Sequence, residues 1–325
     1  MPDGTRSGHI PDGTYPPLHT LKPVAENVWL VDGPIIHFGP KLLKSPFPTH
    51  MTIVRLRGAE LFVHSPTELS PALREQVERL GTPRWIVAPS RIHYWWFPPW
   101  HSAFPNAEVY VAPRVRTQAG ARIDFPCTAL NRDSGLPWSG EIDTLLVAGR
   151  YLTEAEFFHR PSRTLILTDL IENFEPAKLN WPRRLLARLG GNLSLDGSMP
   201  RDMRLMFSGQ VLRDAVEKLL AWNPERVIIA HGRWFDRDGR ARAAPSFPLA
   251  PRLGPRSPLL PASQTLGSLA RREVLRASQQ TRDIARGSRF ADLSTLCRWG
   301  HWRHHYPRGG ACAAGVGSCR LVVPT

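Results

Sequence analysis

The sequence predicts a layered α/β domain followed by a basic tail. Three observations carry this. Short apolar runs bounded by turn residues recur from about Ala25 to Ala250, and helices with complete start and stop signals lie between them. Beyond Ala250 the periodicity gives way to Pro, Ser and Arg. With 325 residues, 42% of them hydrophobic, the chain can bury a full core. The expected organisation is a flexible leader over 1–21, one domain over 22–250, and a disordered Arg/Pro-rich tail over 251–325.

In the leader "PDGT" occurs twice, at Pro2–Thr5 and Pro11–Thr14, each a turn-forming tetrapeptide with glycine third. Order is expected to begin near Ala25, where "NVWLVDG" starts a strand-like run. "MTIVRL" and "ELFVHSP", separated by Gly58-Ala59, read as a hairpin. "SPALREQVERLG" reads as a helix. Ser70 caps it, Pro71 takes the first position, Leu73, Val77 and Leu80 share a face, and Gly81 stops it.

"RWIVAPS" and "EVYVAP" are further strands on either side of the aromatic segment "RIHYWWFPPWHSAFPNA". "DTLLVAG", "EAEFFH" and "RTLILTD" are three more, the last two joined by "RPS". A short helix follows Pro182 in "PRRLLARLG", and a longer one occupies "SGQVLRDAVEKLLAWNP". Ser208 caps the longer helix, with Val211, Ala215, Val216, Leu219 and Leu220 as its apolar stripe. "RVIIAHG" is a short buried strand. Past Ala250 only "QTLGSLARREVLRASQQTRDIARG" has helical character.

The formal charge of +14 suggests nucleic acid until it is divided along the chain. Residues 251–325 hold 12 Arg against 3 acidic residues, which leaves 30 basic against 25 acidic in the first 250. The body is therefore nearly balanced, and no specific nucleic-acid partner is expected. No stretch reaches the length of a membrane span, and the first twenty residues lack the apolar run of a secretory signal, so a cytoplasmic protein is expected. Cys127 alone falls in the body, so no disulfide framework holds it together. In the tail Cys297, His301, His304, His305, Cys312 and Cys319 follow no compact zinc spacing and read as incidental composition.

Polar groups follow five apolar runs: His64 after "LFV", His93 shortly after "RWIVAPS", His159 after "EFF", Asp169 after "LILT" and His231 after "VIIA". Loops leaving one edge of a layered α/β sheet converge on a site, so these groups are candidates for a shared centre. Imidazole and carboxylate are donors that Zn²⁺, Fe²⁺ and Mn²⁺ accept, and three protein ligands with an open position make a catalytic site. His159, Asp169 and His231 form such a set. A lone strand-end histidine is more often a capping or packed residue, and a strand-end carboxylate can simply bond backbone amides. Arg91, Arg160 and Arg163 could face an anionic substrate but read first as solvated. Tyr94, Trp95, Trp96, Phe97 and Trp100 read first as packing.

"HRPSRTLILTDL", then a helix and "VIIAHG", resembles the second half of the metallo-β-lactamase-like superfamily. The hairpin, helix and strand of "GAELFVHSPTELSPALREQVERLGTPRWIVAP" resemble its first half. The likeness extends from residue 22 to about 245 and is to a poorly characterised branch. It implies an αββα sandwich with a metal site at one edge. It also implies that His159, Asp169 and His231 match a histidine before a strand, a metal-bridging aspartate and a late histidine. The family's H-x-H-x-D-H signature is not intact, because this chain has "PSRIHYWWFPPW", where only His93 remains.

One divalent metal is therefore expected, zinc first, then iron or manganese. His159, Asp169, His231 and His93 would be ligands, with Asp169 and His93 catalytic and His64 in a supporting or packed role. The implied activity is hydrolysis of a small molecule at a mononuclear site. The alternative is a noncatalytic binding or scaffold protein that has lost its metal.

Overall fold

The computed structural model describes residues 13–39, 44–193 and 197–247. These belong to the first of two compact units, Met1–Ser263. The expected tail helix, the tail cysteines and histidines, and the first "PDGT" lie outside the described residues.

The chain begins with β1 (Leu21–Ala25), β2 (Val28–Asp32), β3 (Ile36–Phe38), β4 (Ser45–Phe47), β5 (His50–Arg55) and β6 (Glu60–His64). There follow α1 (Pro71–Leu80), β7 (Thr82–Ala88), α2 (Phe97–Ala103), β8 (Glu108–Val111), α3 (Val115–Ala119) and β9 (Thr128–Ala129). The second half runs β10 (Ile142–Ala148), β11 (Thr153–His159), β12 (Thr164–Ile166), α4 (Trp181–Gly190), α5 (Arg201–Met206), α6 (Gly209–Ala221), β13 (Arg226–Ile228) and α7 (Gly239–Ser246).

The first sheet has the order β1-β2-β5-β6-β7-β8-β9 and the second β10-β11-β12-β13, while β3 and β4 form a separate hairpin. Alternation along each strand sends side chains to two different cores. On β6, Leu61 and Val63 join the outer layer beneath α1, α2 and α3, whereas Phe62 faces inward. On β11, Ala155 and Phe157 face inward and Phe158 packs outward with α5, α6 and α7. The inner layer between the sheets is aromatic. Trp138 lies 4.9 Å from Phe62 and 4.8 Å from Tyr110 between ring centroids, and its indole N–H donates to Thr144 Oγ1 at 3.0 Å. Two facing sheets with helices outside make the αββα sandwich that the sequence resemblance implies.

The helix signals act as expected. Ser70 Oγ accepts from Leu73 N at 3.1 Å, Pro71 opens α1, and Leu73 and Val77 are buried. Ser208 Oγ accepts from Val211 N at 3.2 Å, and α6 buries Leu212, Ala215, Val216 and Leu219. Leu212 joins the stripe, while Val211 and Leu220, expected in it, are only partly buried. The expectation of a flexible leader over 1–21 does not hold for residues 13–20. Residues 13–20 are packed against the domain, with His19 N bonded to Asp32 O at 2.9 Å and Thr14 buried beside Lys178, whose Nζ donates to Thr14 O at 2.8 Å. Among the described residues no helix is long and apolar enough to cross a membrane.

Candidate metal centre

Strand polarity brings the polar groups to one edge. β6, β7 and β8 are mutually parallel, so their C-termini lie together, and β5 and β2 contribute His50 and Asp32 at that same edge through antiparallel pairing. In the second sheet β12 and β13 are parallel and also finish together. Backbone bonds join the two sheets there. Ala155 N donates to Pro89 O at 2.8 Å, and His50 N donates to Ala230 O at 3.1 Å.

Three side chains meet at the junction. His93 Nε2 lies 3.2 Å from Asp169 Oδ1 and 3.1 Å from Oδ2, and His231 Nε2 lies 3.2 Å from Oδ1. One donor atom from each lies within 4.8 Å of the others, and all three residues are buried. Each imidazole is held from behind. His93 Nδ1 is 2.8 Å from Ser65 Oγ. His231 Nδ1 is 2.7 Å from Pro48 O. A carbonyl only accepts, so Nδ1 of His231 carries the proton and Nε2 is the atom turned to the centre. Gly232 lets the chain leave at once. Its φ is +96°, and a Cβ there would stand 2.1 Å from Asn173 O.

The electrostatics follow from burial against close partners. Burial would raise the Asp169 carboxyl, but the charge of His93 and the hydrogen bonds from His231 and His93 hold it far below the usual carboxylate range. Burial disfavours charge on His231, yet the hydrogen bond and charge of Asp169 outweigh it and push the pKa up to about 9. Glu172, three residues past Asp169, is raised to about 8 by burial, with His231 opposing.

Glu154 positions Asp169. Its Oε1 accepts from the successive amides of Thr168 at 3.1 Å, Asp169 at 2.7 Å and Leu170 at 3.2 Å, and from the Thr168 hydroxyl. One carboxylate oxygen thus fixes the three-residue turn that carries the aspartate. Burial raises its pKa, with the Asp169 charge adding to the effect. Glu156 lies two residues along the strand and is also fully buried; burial and then Glu154 push it well above its ordinary value. Neither glutamate was picked out by the strand-end pattern. The available signal was two acids at i and i+2 next to Ala155, Phe157 and Phe158 in one strand.

His159 is not in the centre, which corrects the expected ligand set. β11 and β12 are antiparallel, with His159 opposite Thr164 and Phe157 opposite Ile166, so Asp169 falls beside Glu154. Five residues of strand, about 16 Å, separate the histidine from that end. His159 is buried at the far edge, where Nδ1 lies 2.7 Å from Ser162 Oγ, and burial lowers its pKa to about 4. His64 lies inside the sandwich with its ring centroid 5.4 Å from that of Phe157, and burial, then His93, lowers it to about 3.

The arginines have local partners. Arg91 donates to Tyr151 O, Arg160 is paired with Asp143, and Arg163 donates to Asn223 O. The aromatic segment is packing: Tyr94, Phe97 and Trp100 are buried in the outer layer, and Trp100 Nε1 donates to Thr67 O at 2.7 Å. A second polar group at the same edge was also missed. His50 Nδ1 lies 2.8 Å from Ile229 O and Nε2 3.0 Å from Asp32 Oδ1, beside a cavity of about 310 Å³ that Tyr15, Lys178 and Arg233 also line.

Residues 39–180 match the family described as "Domain of unknown function (DUF4336)", a span that contains His93 and Asp169 and ends before His231. Comparison with curated proteins finds no match. Solved structures of related shape include DIM-1 metallo-β-lactamase exposed to ceftazidime, at 12% identity and TM-score 0.49, covering 70% of this chain and 95% of that one. A metallo-β-lactamase from Hirschia baltica is 14% identical with TM-score 0.46, covering 70% and 98%. The FIM-1 metallo-β-lactamase from Pseudomonas aeruginosa in its mono-zinc form is 12% identical with TM-score 0.46, covering 69% and 90%.

Proposed function

We propose that this chain is a metal-dependent hydrolase of a small-molecule substrate, with one divalent cation held by His93, Asp169 and His231. The observation that carries the reading is the convergence of two Nε2 atoms on one carboxylate at 3.1 to 3.2 Å, each ring held at its other nitrogen. Ligand bonds of about 2.0 to 2.2 Å in a tetrahedron require donor separations of roughly 3.3 Å. The two imidazole–carboxylate separations match this, and all three donors lie within 4.8 Å of one another. Two imidazoles and a carboxylate suit zinc first, with iron or manganese also accepted.

When bound, such a cation supplies Lewis acidity to polarise a carbonyl or phosphoryl oxygen and to acidify water. The chain supplies the rest. Pro48 O and Ser65 Oγ fix the ring orientations, as partners behind metal-bound histidines do. Glu154 fixes the backbone of Asp169. His93, on the loop between β7 and α2, aims its Nε2 at both Asp169 oxygens and would hold the cation through that same atom.

A second reading is favoured by the same distances. Asp169 already satisfies both imidazoles, which a metal-free binding protein on this fold would also show. Metal analysis of the full chain purified from zinc-, iron- and manganese-supplemented culture separates the two. The hydrolase reading expects near-stoichiometric metal that falls in His93→Ala and His231→Ala, together with turnover of chromogenic ester, amide or phosphodiester probes. Absence of metal from the parent protein would overturn it.

A further inference from the structure

We infer that α4 is a docking element for an anionic lipid surface. Its ten residues, "WPRRLLARLG", include none that is buried, and Trp181, Leu185, Leu186 and Leu189 are 77%, 52%, 53% and 60% exposed. At 3.6 residues per turn Trp181, Leu185 and Leu189 form one stripe at i, i+4 and i+8, and Leu186 widens it on one flank. Arg184 and Arg188, also exposed and four residues apart, line the other flank. The half-buried residues are Arg183, Ala187 and Gly190, which share the opposite face, so the apolar stripe points away from the body.

The helix is built to stand there. Asn180 Oδ1 accepts from Arg183 N at 3.2 Å, and Gly191 ends the helix at φ +80°. Both ends are tied to the segment leaving Asp169. Arg184 Nη2 donates to Pro176 O at 2.8 Å, Phe174 N donates to Asn192 O at 3.2 Å, and Asn192 Nδ2 donates to Glu172 Oε2 at 2.6 Å.

A solvent-facing apolar stripe of this density marks a contact surface. Charge selects the occupant. α4 has no acidic residue, and its exposed arginines would face their own kind in a second copy. They would meet the same sign in residues 251–325, with 12 Arg against 3 acidic residues. A partner that is apolar beneath an anionic surface satisfies both flanks. Trp and Leu enter the acyl boundary while Arg stays among the headgroups, the arrangement of helices that lie in the membrane interface. Docking would bring the Asp169 edge of the sandwich to the lipid surface, whether or not that edge holds metal.

The test is co-sedimentation of the full chain with phosphatidylcholine vesicles, with and without roughly 30% phosphatidylglycerol, at about 0.15 M salt. The parent is expected to bind the anionic vesicles at least tenfold more tightly than the neutral ones. Replacing Trp181, Leu185 and Leu189 together by Ser should weaken that binding at least tenfold without moving the thermal unfolding transition, since the stripe is exposed. Arg184→Gln with Arg188→Gln should reduce the preference for anionic vesicles several-fold. Equal binding by the parent and the triple-Ser protein would assign the affinity to other basic residues and overturn the inference. So would a parent that binds neither vesicle. A parent that ignores vesicles but is a dimer dissociated by the triple substitution would give the face to a second copy.

Discussion

Asp169 is the residue on which the functional reading turns, because both imidazoles address its carboxylate. Asp169→Asn keeps the volume and removes the anion. The expected outcome is a folded protein whose metal affinity falls tenfold or more, measured by titration with Zn²⁺ after chelation. If Asp169 only orders its turn, metal binding will not change and stability alone will fall, by about 1 kcal/mol. His159 provides a control with the opposite signature. Its pKa of about 4 means that between roughly pH 6.5 and 4 the unfolded chain takes up a proton that the folded ring refuses. Its contribution is therefore complete above pH 6.5 and is lost as the pH falls through that window, by about 3 kcal/mol. His159→Gln should flatten this part of the stability profile in urea unfolding at several pH values, and metal content should be unchanged.

At the scale of elements, the turn after β12 depends on Glu154 in β11. Removing that carboxylate leaves the amides of Thr168, Asp169 and Leu170 without their shared acceptor. Glu154→Ala is expected to cost about 3 kcal/mol or more by chemical unfolding, since each orphaned buried donor costs about 1 to 3 kcal/mol. It should also weaken metal binding, because the backbone of Asp169 loses its anchor. Glu154→Gln retains an acceptor oxygen and should fall between Ala and the parent in both measurements. The N-caps act more locally: Ser70→Ala should cost about 1 kcal/mol through α1 alone and leave the metal centre unaffected.

For the whole molecule, the three buried layers draw on residues between Val28 and Phe247, from both sheets and their flanking helices. A chain ending at Ser263 should therefore unfold in a single cooperative thermal transition and keep the metal stoichiometry of the full chain. Separate transitions, or loss of metal on truncation, would show that residues 264–325 belong to the folded core. The arrangement also explains why one edge gathers so many polar groups. Parallel strands of both sheets finish there, and Ala155–Pro89 and His50–Ala230 backbone bonds hold the two finishing edges together.

What local chemistry controls was legible along the chain. Ser70, Pro71 and Gly81 defined α1, Ser208 placed the start of α6, and apolar runs located the principal strands, because caps, turns and alternation act within a few residues. The identities of His93, Asp169 and His231 as polar groups at strand exits were legible for the same reason. Which of the strand-end residues could meet was decided by tertiary structure. His159 and Asp169 end consecutive strands of one hairpin, so antiparallel pairing sends them to opposite edges although only ten positions separate them. His93 and His231 reach Asp169 from loops of different sheets. The contacts that aim them, Ser65 Oγ and Pro48 O, lie far away in sequence and carry no pattern of their own. Glu154 was hidden because an acid within a short strand reads as a solvent-facing position until a second layer of helices covers that face and leaves backbone amides as its partners.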